Sequence, residues 1–393
     1  MAADPEQLGE FTANGGGSYQ STSPGPTKNV LAVSWTRNCT LKQLENEHRL
    51  SLEGKAKVSL SGVGKIVSDR IHIWLKESLD SSNQATNQAS KNKITPVRIL
   101  ASGDVLLDTV ELRANTQRAE VWLRQEIPAT GDPLNFPTTS ILPSVPTNDN
   151  STMGLGGPKY VVQGDLIQIQ LAQKDGKHIL QEAFIKDKLV LRQVSNSPGA
   201  RSPFVLHGNS VNLVRDLAGL FEMTLTGNSD RGQPAWIAFE KFQISGNQIR
   251  LHQQQNLMWI KGAGEIALTQ LDTATTTQTR RISWQEQMAF DGSQIELFGN
   301  VKTRVQFTNA EETTFDLTLD CGFLRAYLTK RVDFSSLEKN APADVHMLSG
   351  GNSVAISSRV LDADKLQQAF HQMQANNISY YPKSGEITST GRG

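Results

Sequence analysis

The sequence predicts an all-β chain of short antiparallel strands stacked on one another, with at most one or two short helices. Three observations lead there. Ile295, Leu297, Gly299 and Val301 alternate with the mostly polar Glu296, Phe298 and Asn300, and Phe315, Leu317 and Leu319 repeat the alternation beyond the polar turn at 309–312. Period-two alternation is what a strand with one buried face requires. Gly-Asp or Gly-Asn pairs recur at 103, 164, 208, 227, 246 and 299, where glycine supplies a positive φ at a turn or a flat spot where strands come close. Finally, the unit itself returns: Ser34-Trp35 and Ser283-Trp284 open two copies, and Gly54 precedes Ile71 much as Gly299 precedes Phe315, the mark of a repeat array.

At 393 residues the chain has room for two domains or for an array of stacked units. Lys plus Arg and Asp plus Glu both number 39, so no overall field draws it to nucleic acid or to an anionic membrane. Only 37% of residues are apolar, which suits sheets with one wet face. No run approaches the roughly 18 apolar residues of a membrane span. Residues 1–29 lack the basic start and apolar segment of a signal peptide. Cys39 and Cys321 are far apart and form no zinc-type pair; whether they bridge does not follow from sequence. Asn38-Cys39-Thr40 and Asn150-Ser151-Thr152 fit the glycosylation acceptor pattern, which has meaning only in a eukaryotic secretory setting.

Taken in order, residues 1–29 are Gly, Ser and Pro-rich with few aliphatics, and read as a disordered lead because they cannot offset the entropy of ordering. A first repeat region spans 30–127. In it Leu50, Leu52, Gly54, Ala56 and Val58 alternate, SGVGK at 61–65 bends the chain, and Ile71, Ile73 and Leu75 answer. A further copy runs from Val97 through Gly103-Asp104 to Leu123, with Trp122 placed as Trp74 is. The proline-bearing stretch 128–158 reads as a linker or surface excursion and as a boundary. A second repeat region, 159–393, resumes with Ile167, Ile169 and Leu171 and continues through Ala183, Ile185 and Leu189. Phe204 to Asn209 opens another unit, and 236–268 read as strands around the Gly246-Asn247 turn. Leu366, Phe370 and Met373 stand at helical spacing behind Asp362, so 361–376 is the one helix candidate, although a strand with a polar loop fits the same residues. The chain breaks off in STGRG with nothing to close a sheet edge, and a truncated C-terminus is expected.

The sequence carries no recognisable catalytic, metal-ligand or cofactor motif. SGVGK lacks the upstream glycine of a phosphate loop, and no GxSxG, HExxH or CxxC occurs. His346 and His371 lie near Asp344 and Asp364, an arrangement usual on surfaces. The six tryptophans stand at the ends of alternating runs, where they fill sheet corners or stack on sugars or lipids. No carboxylate pair stands out as a glycosidase couple.

The stretch FDGSQIELFGNVKTRVQF resembles the OstA-like repeat of the lipopolysaccharide-transport proteins, and LEGKAKVSL and VRILASGDVLLDTVEL are further copies. The resemblance implies an elongated, open V-shaped β-jelly roll whose apolar groove receives acyl chains. The groove residues it implies are Leu50, Leu52, Val58, Ile295, Leu297, Val301 and Val305. It further implies a non-enzymatic protein of the periplasm or cell envelope that binds or conveys lipid or glycolipid. Partners would be other envelope proteins or further repeats joined by end-to-end β stacking. The chain departs from the family in its size, its long inserts and its lack of a visible signal peptide. Two other readings stand beside this one: a structural or adhesive scaffold whose repeats fill their own interior, and a carbohydrate-active enzyme on a β-solenoid or jelly roll.

Overall fold

The computed structural model describes residues 9–22, 30–45, 47–61, 63–79, 92–109, 112–125, 159–174, 177–194, 204–215, 220–239, 242–271, 277–308, 313–334 and 344–391. The chain divides into two units, the described strands up to Val194 forming one and those from Val205 onward the other. Among the described residues every regular element is a strand except a single 3-10 turn at Ser229–Arg231.

Unit 1 contains β1 (Phe11–Asn14), β2 (Gly17–Thr22), β3 (Val30–Trp35), β4 (Asn38–Gln43), β5 (His48–Leu60), β6 (Gly64–Leu79), β7 (Asn92–Asp108), β8 (Leu112–Gln125), β9 (Lys159–Gln163), β10 (Leu166–Lys174) and β11 (Lys177–Val194). The long strands β5 to β8 pair antiparallel in chain order. Short strands share a rung: β3 and β4 lie end to end along β5, and β1 and β2 lie along β4 and β3. At the other side β9 and β10 run parallel to the two halves of β8, and β11 pairs antiparallel with both.

Unit 2 contains β12 (Val205–Arg215), β13 (Phe221–Thr226), β14 (Ala235–Phe239), β15 (Phe242–His252), β16 (Leu257–Leu271), β17 (Thr277–Trp284), β18 (Gln287–Phe290), β19 (Gln294–Thr308), β20 (Thr314–Leu328), β21 (Val345–Leu361), β22 (Gln367–Tyr381) and β23 (Glu386–Thr390). All its pairings are antiparallel; β13 with β14, and β17 with β18, each fill one rung between two long strands.

One device shapes both units. In alternate long strands the buried positions run two apart, skip to four at a corner, and then resume. In β5 the skip is from Leu52 to Ala56, in β7 from Ala101 to Val105, in β11 from Ile185 to Leu189 and in β19 from Leu297 to Val301. The corner holds two consecutive left-handed residues: Gly54 and Lys55, Gly103 and Asp104, Asp187 and Lys188, Gly299 and Asn300, Asn352 and Ser353. Opposite them the neighbouring strand skips only three, as from Ser68 to Ile71 and from Cys321 to Leu324. The ladder register shifts at the corners of β5, β7, β19 and β21, while the corner of β11 falls between its pairings with β10 and β9; an extra residue on one side of a ladder bends that strand. Each long strand therefore forms two walls joined at a corner, with the same side facing inward along both. At Gly299 (φ 81°) the left-handed backbone favours glycine, and a Cβ there would collide with the side chain of Glu286.

Two expectations differ from what is observed, and one open choice is decided. Residues 11–22 of the expected disordered lead carry β1 and β2; backbone pairing with β4 and β3 orders them although the side chains of 11–20 are largely exposed. Of the two readings of 361–376 the strand with a polar loop is the one observed: the end of β21, a turn and β22, with Leu366, Phe370 and Met373 all exposed. Their helical spacing is thus not the mark of a buried helix face. The linker 128–158 lies outside the described residues, and the strands that follow it, up to Val194, belong with β8 rather than with unit 2.

A partly open inner face in unit 2

The seven groove candidates fall into two groups. Leu50, Leu52 and Val58 are buried on the inner side of β5 in unit 1, and Leu297 and Val301 flank the corner of β19 in unit 2. Ile295 and Val305, farther from that corner, are half-buried. Distance from the corner separates them, which alternation alone does not reveal.

Beyond the corner of β19 the inner face of unit 2 is largely apolar, interrupted by Thr303, Ser358 and His371, and accessible. On one wall the register sets Thr303, Leu319, Ile356 and Met373 in one row across β19 to β22, and Val305, Leu317, Ser358 and His371 in the next. Leu317 is 40% exposed and Met373 37%. On the other wall Ile295, Ala326, Leu348, Tyr380 and Ile387 form a row across β19 to β23, and Ile387 is 56% exposed. The walls meet at the corner, where a Cβ on Gly350 would lie 3.6 Å from Cys321 Sγ and 3.8 Å from Val354 Cγ2. Monomeric proteins bury such neighbouring aliphatics or use them.

Near the corner the earlier rungs of unit 2 are filled, although Phe242, farther out on β15, is 46% exposed. Leu225, Ile249, Ile260, Trp284 and Met288 leave almost no accessible surface. A strap adds to them: after β20 the chain at 331–334 crosses to the turns at 253–256 and 291–293. Asn256 Nδ2 donates to Val332 O (2.9 Å) and Asp291 O (3.2 Å), and its Oδ1 accepts from Phe334 N (2.8 Å). Gln253 Nε2 donates to Phe334 O (3.1 Å) while its Oε1 accepts from Phe221 N (3.3 Å). Val332 N donates to Gly292 O (2.8 Å). Both amides are buried and use both ends, as buried polar groups must. They set the Phe334 ring edge-on against Phe290, centroids 5.4 Å apart.

The outer faces carry paired polar groups beside isolated exposed aliphatics such as Leu106 and Val214. In unit 1 the buried Glu120 accepts from Arg98 (3.0 Å), Arg118 (2.9 Å) and Gln168 (2.9 Å). Burial alone would raise its carboxyl, but the hydrogen bonds from Arg118, Gln168 and Arg98 outweigh burial and hold it below the ordinary carboxylate value. In unit 2 a recess of about 250 Å³ is lined by Arg304, Asp316, Thr318, Ser357 and Arg359; Arg304 grips Asp316 with two 2.9 Å bonds, and that partner raises the guanidinium further above its usual value.

The tryptophans are engaged by the protein. Arg98 lies between Trp74 (4.6 Å) and Trp122 (5.7 Å), Trp236 stacks on His207, and Arg250 stands over Trp259. Trp35 and Trp284 donate to the carbonyls of Gly15 (2.9 Å) and Gly262 (3.1 Å). Of the two histidines singled out, His371 stands opposite Ser358 in an inner row, and His346 packs edge-on to Tyr381. Among the described residues no group of three or more His, Cys, Asp or Glu is placed to hold a metal, and no helix is long and apolar enough to cross a membrane. Cys39 and Cys321 are free, buried thiols; burial, then the neighbouring Asp320, pushes Cys321 up to about 11. Sequence reasoning missed the strap, since one phenylalanine after a strand carries no periodic signal.

Compared with models of known protein families and with curated proteins, the chain matches none.

Proposed function

We propose that this is a non-enzymatic envelope protein that binds or conveys lipid or glycolipid, with acyl carbons lying on the inner face of β19 to β23. The observation that carries this reading is the pair of accessible apolar rows, Leu319, Ile356 and Met373 on one wall and Ile295, Leu348 and Ile387 on the other. Burying acyl carbon there contributes about 0.8 kcal/mol per methylene, and no catalytic group is needed. The OstA-like resemblance of 290–307 falls in the same strands and supports the same ligand class, together with a periplasmic or envelope setting.

End-to-end stacking is supported by a comparison of the two units. Phe11 opposite Leu41 corresponds to Met258 opposite Phe290, and Tyr19 opposite Val33 to Ile266 opposite Ile282. Met258 and Ile266 are each 7% exposed beneath β15, whereas Phe11 and Tyr19, with no further rung described beside them, are 48% and 57% exposed. A strand laid along β1 and β2 would cover both.

The test is displacement of a fluorescent fatty acid from the purified full chain, with organic extraction and mass spectrometry of the native protein. Leu317→Asp together with Met373→Asp should abolish probe binding at unchanged unfolding temperature. A wild-type chain that neither retains lipid nor binds the probe would refute the reading. A scaffold role is the second reading, favoured by the filled interior of β5 to β8 in unit 1; it requires that stability be indifferent to lipid.

A further inference from the structure

We infer that Phe334 is the stop that sets how long a chain the inner face of unit 2 accepts. This rests on the lipid-binding reading above and adds to it the residue that determines chain-length preference.

The inner row on the wall that carries β23 runs Ile387, Tyr380, Leu348, Ala326, Ile295, and its next member in register with Ile295 is Phe290. From Ile387 to Ile295 the row is exposed or half-buried; at Phe290 it becomes 8% exposed. The change coincides with the Phe334 ring, itself 6% exposed, set edge-on to Phe290. An extended apolar chain lying along the row from the β23 side therefore meets Phe334 one rung past Ile295.

The ring is placed by the main chain of the strap and not by its own side chain. Asn256 and Gln253 bond the backbone amide and carbonyl of Phe334 and the carbonyl of Val332. Gly292 leaves the space in which Asn256 and Val332 come together. A stop held in this way stays put when its side chain is shortened, so Phe334→Ala removes the ring and leaves the anchoring bonds. The space released adjoins Phe290 and belongs to the same apolar row. Straight hydrocarbon fits it; a polar headgroup would leave its hydrogen bonds unmade there.

The experiment measures affinity of the full chain for straight-chain fatty acids of increasing length, for wild type, Phe334→Ala, Phe334→Leu and Phe334→Trp. In wild type, affinity should rise with length and then level off. Phe334→Ala should move that limit to longer chains, so that an acid two methylenes past it binds about tenfold more tightly than to wild type. Phe334→Leu should lie between, and Phe334→Trp should move the limit to shorter chains. The leucine variant keeps most of the packing and carries the test should the alanine variant fold poorly. Wild-type binding with an identical length limit in every folded variant would overturn the stop while leaving lipid binding intact. Absence of binding to wild type and all variants would overturn the lipid reading, and the stop with it.

Discussion

Trp284 occupies the space over Gly264 so fully that a Cβ there would stand 2.8 Å from the indole Cε2 and 2.6 Å from Ser245 O. Trp35 treats Gly17 likewise, at 2.6 Å from Cζ2. Each indole donates to the carbonyl of the glycine two residues earlier. After each tryptophan the chain turns the corner by pairing with the next long strand: Thr36 N donates to Gly54 O and Gln285 N to Gly299 O. The Ser-Trp pairs thus mark one structural step used in both units.

Replacing Gly264 by alanine should destabilise the chain by about 1–3 kcal/mol, the range for forcing an added group into a packed site. The loss should appear as a lower urea midpoint with the slope unchanged. Gly232, with nothing near its missing Cβ but a φ of 63°, is no control for this effect; exposed Ala263 in the same strand is.

At the β19 corner, Asn300 has a φ of 44°. Asn300→Gly should be near neutral, while Asn300→Val should cost about 1–2 kcal/mol because a β-branched side chain opposes the left-handed backbone. Thermal unfolding of the two variants side by side checks this.

Glu120 makes unit 1 sensitive to acid. Its folded pKa lies below the 4.5 of an unperturbed glutamate, so the unfolded state takes up the proton first. The stabilisation is complete above about pH 5 and is lost as pH falls below 4.5 through the folded value. Glu120→Gln should remove this slope from the stability profile and cost about 1–3 kcal/mol at pH 7 through weakened bonds to Arg98 and Arg118.

Cys321 acts at the opposite end of the scale. Its folded pKa of about 11 exceeds the ordinary 9.0, so stability should hold below pH 9 and fall between pH 9 and 11 as the unfolded thiol ionises. The native chain should also react slowly with a thiol reagent at neutral pH and quickly in denaturant; Cys321→Ser should reduce the alkaline part of the profile and leave the share of Cys39, whose thiol burial also raises.

Much of the fold was legible because alternation maps directly onto the inner face, and Gly103-Asp104 and Gly299-Asn300 announce corners. Asp187-Lys188 and Asn352-Ser353 make the same corner without glycine, so a search for glycine passes over them. Gly164, Gly208 and Gly246 have ordinary φ and are needed for close approach instead; a Cβ on Gly164 would stand 2.6 Å from Ile185 Cγ2. Over 366–373 the residues Leu366, Phe370 and Met373 suggest a helix because neither face of that half of β22 is covered and nothing enforces a period of two. The site was half legible. Pattern identified Val301 and Val305 as facing one way, but whether such residues are sealed or open depends on what lies over them, and Phe334 comes from outside any pattern.

In both units each rung touches little beyond its neighbours, and among the described strands β23 pairs only with β22, every side chain of β23 being exposed. Such a stack frays from its ends, so amide hydrogens of β23 and β22 should exchange first and those around Ile249 and Ile260 last. In unit 2 the rows left bare for a guest belong to the rungs that melt most readily, which makes loosening of the final strands a natural way in.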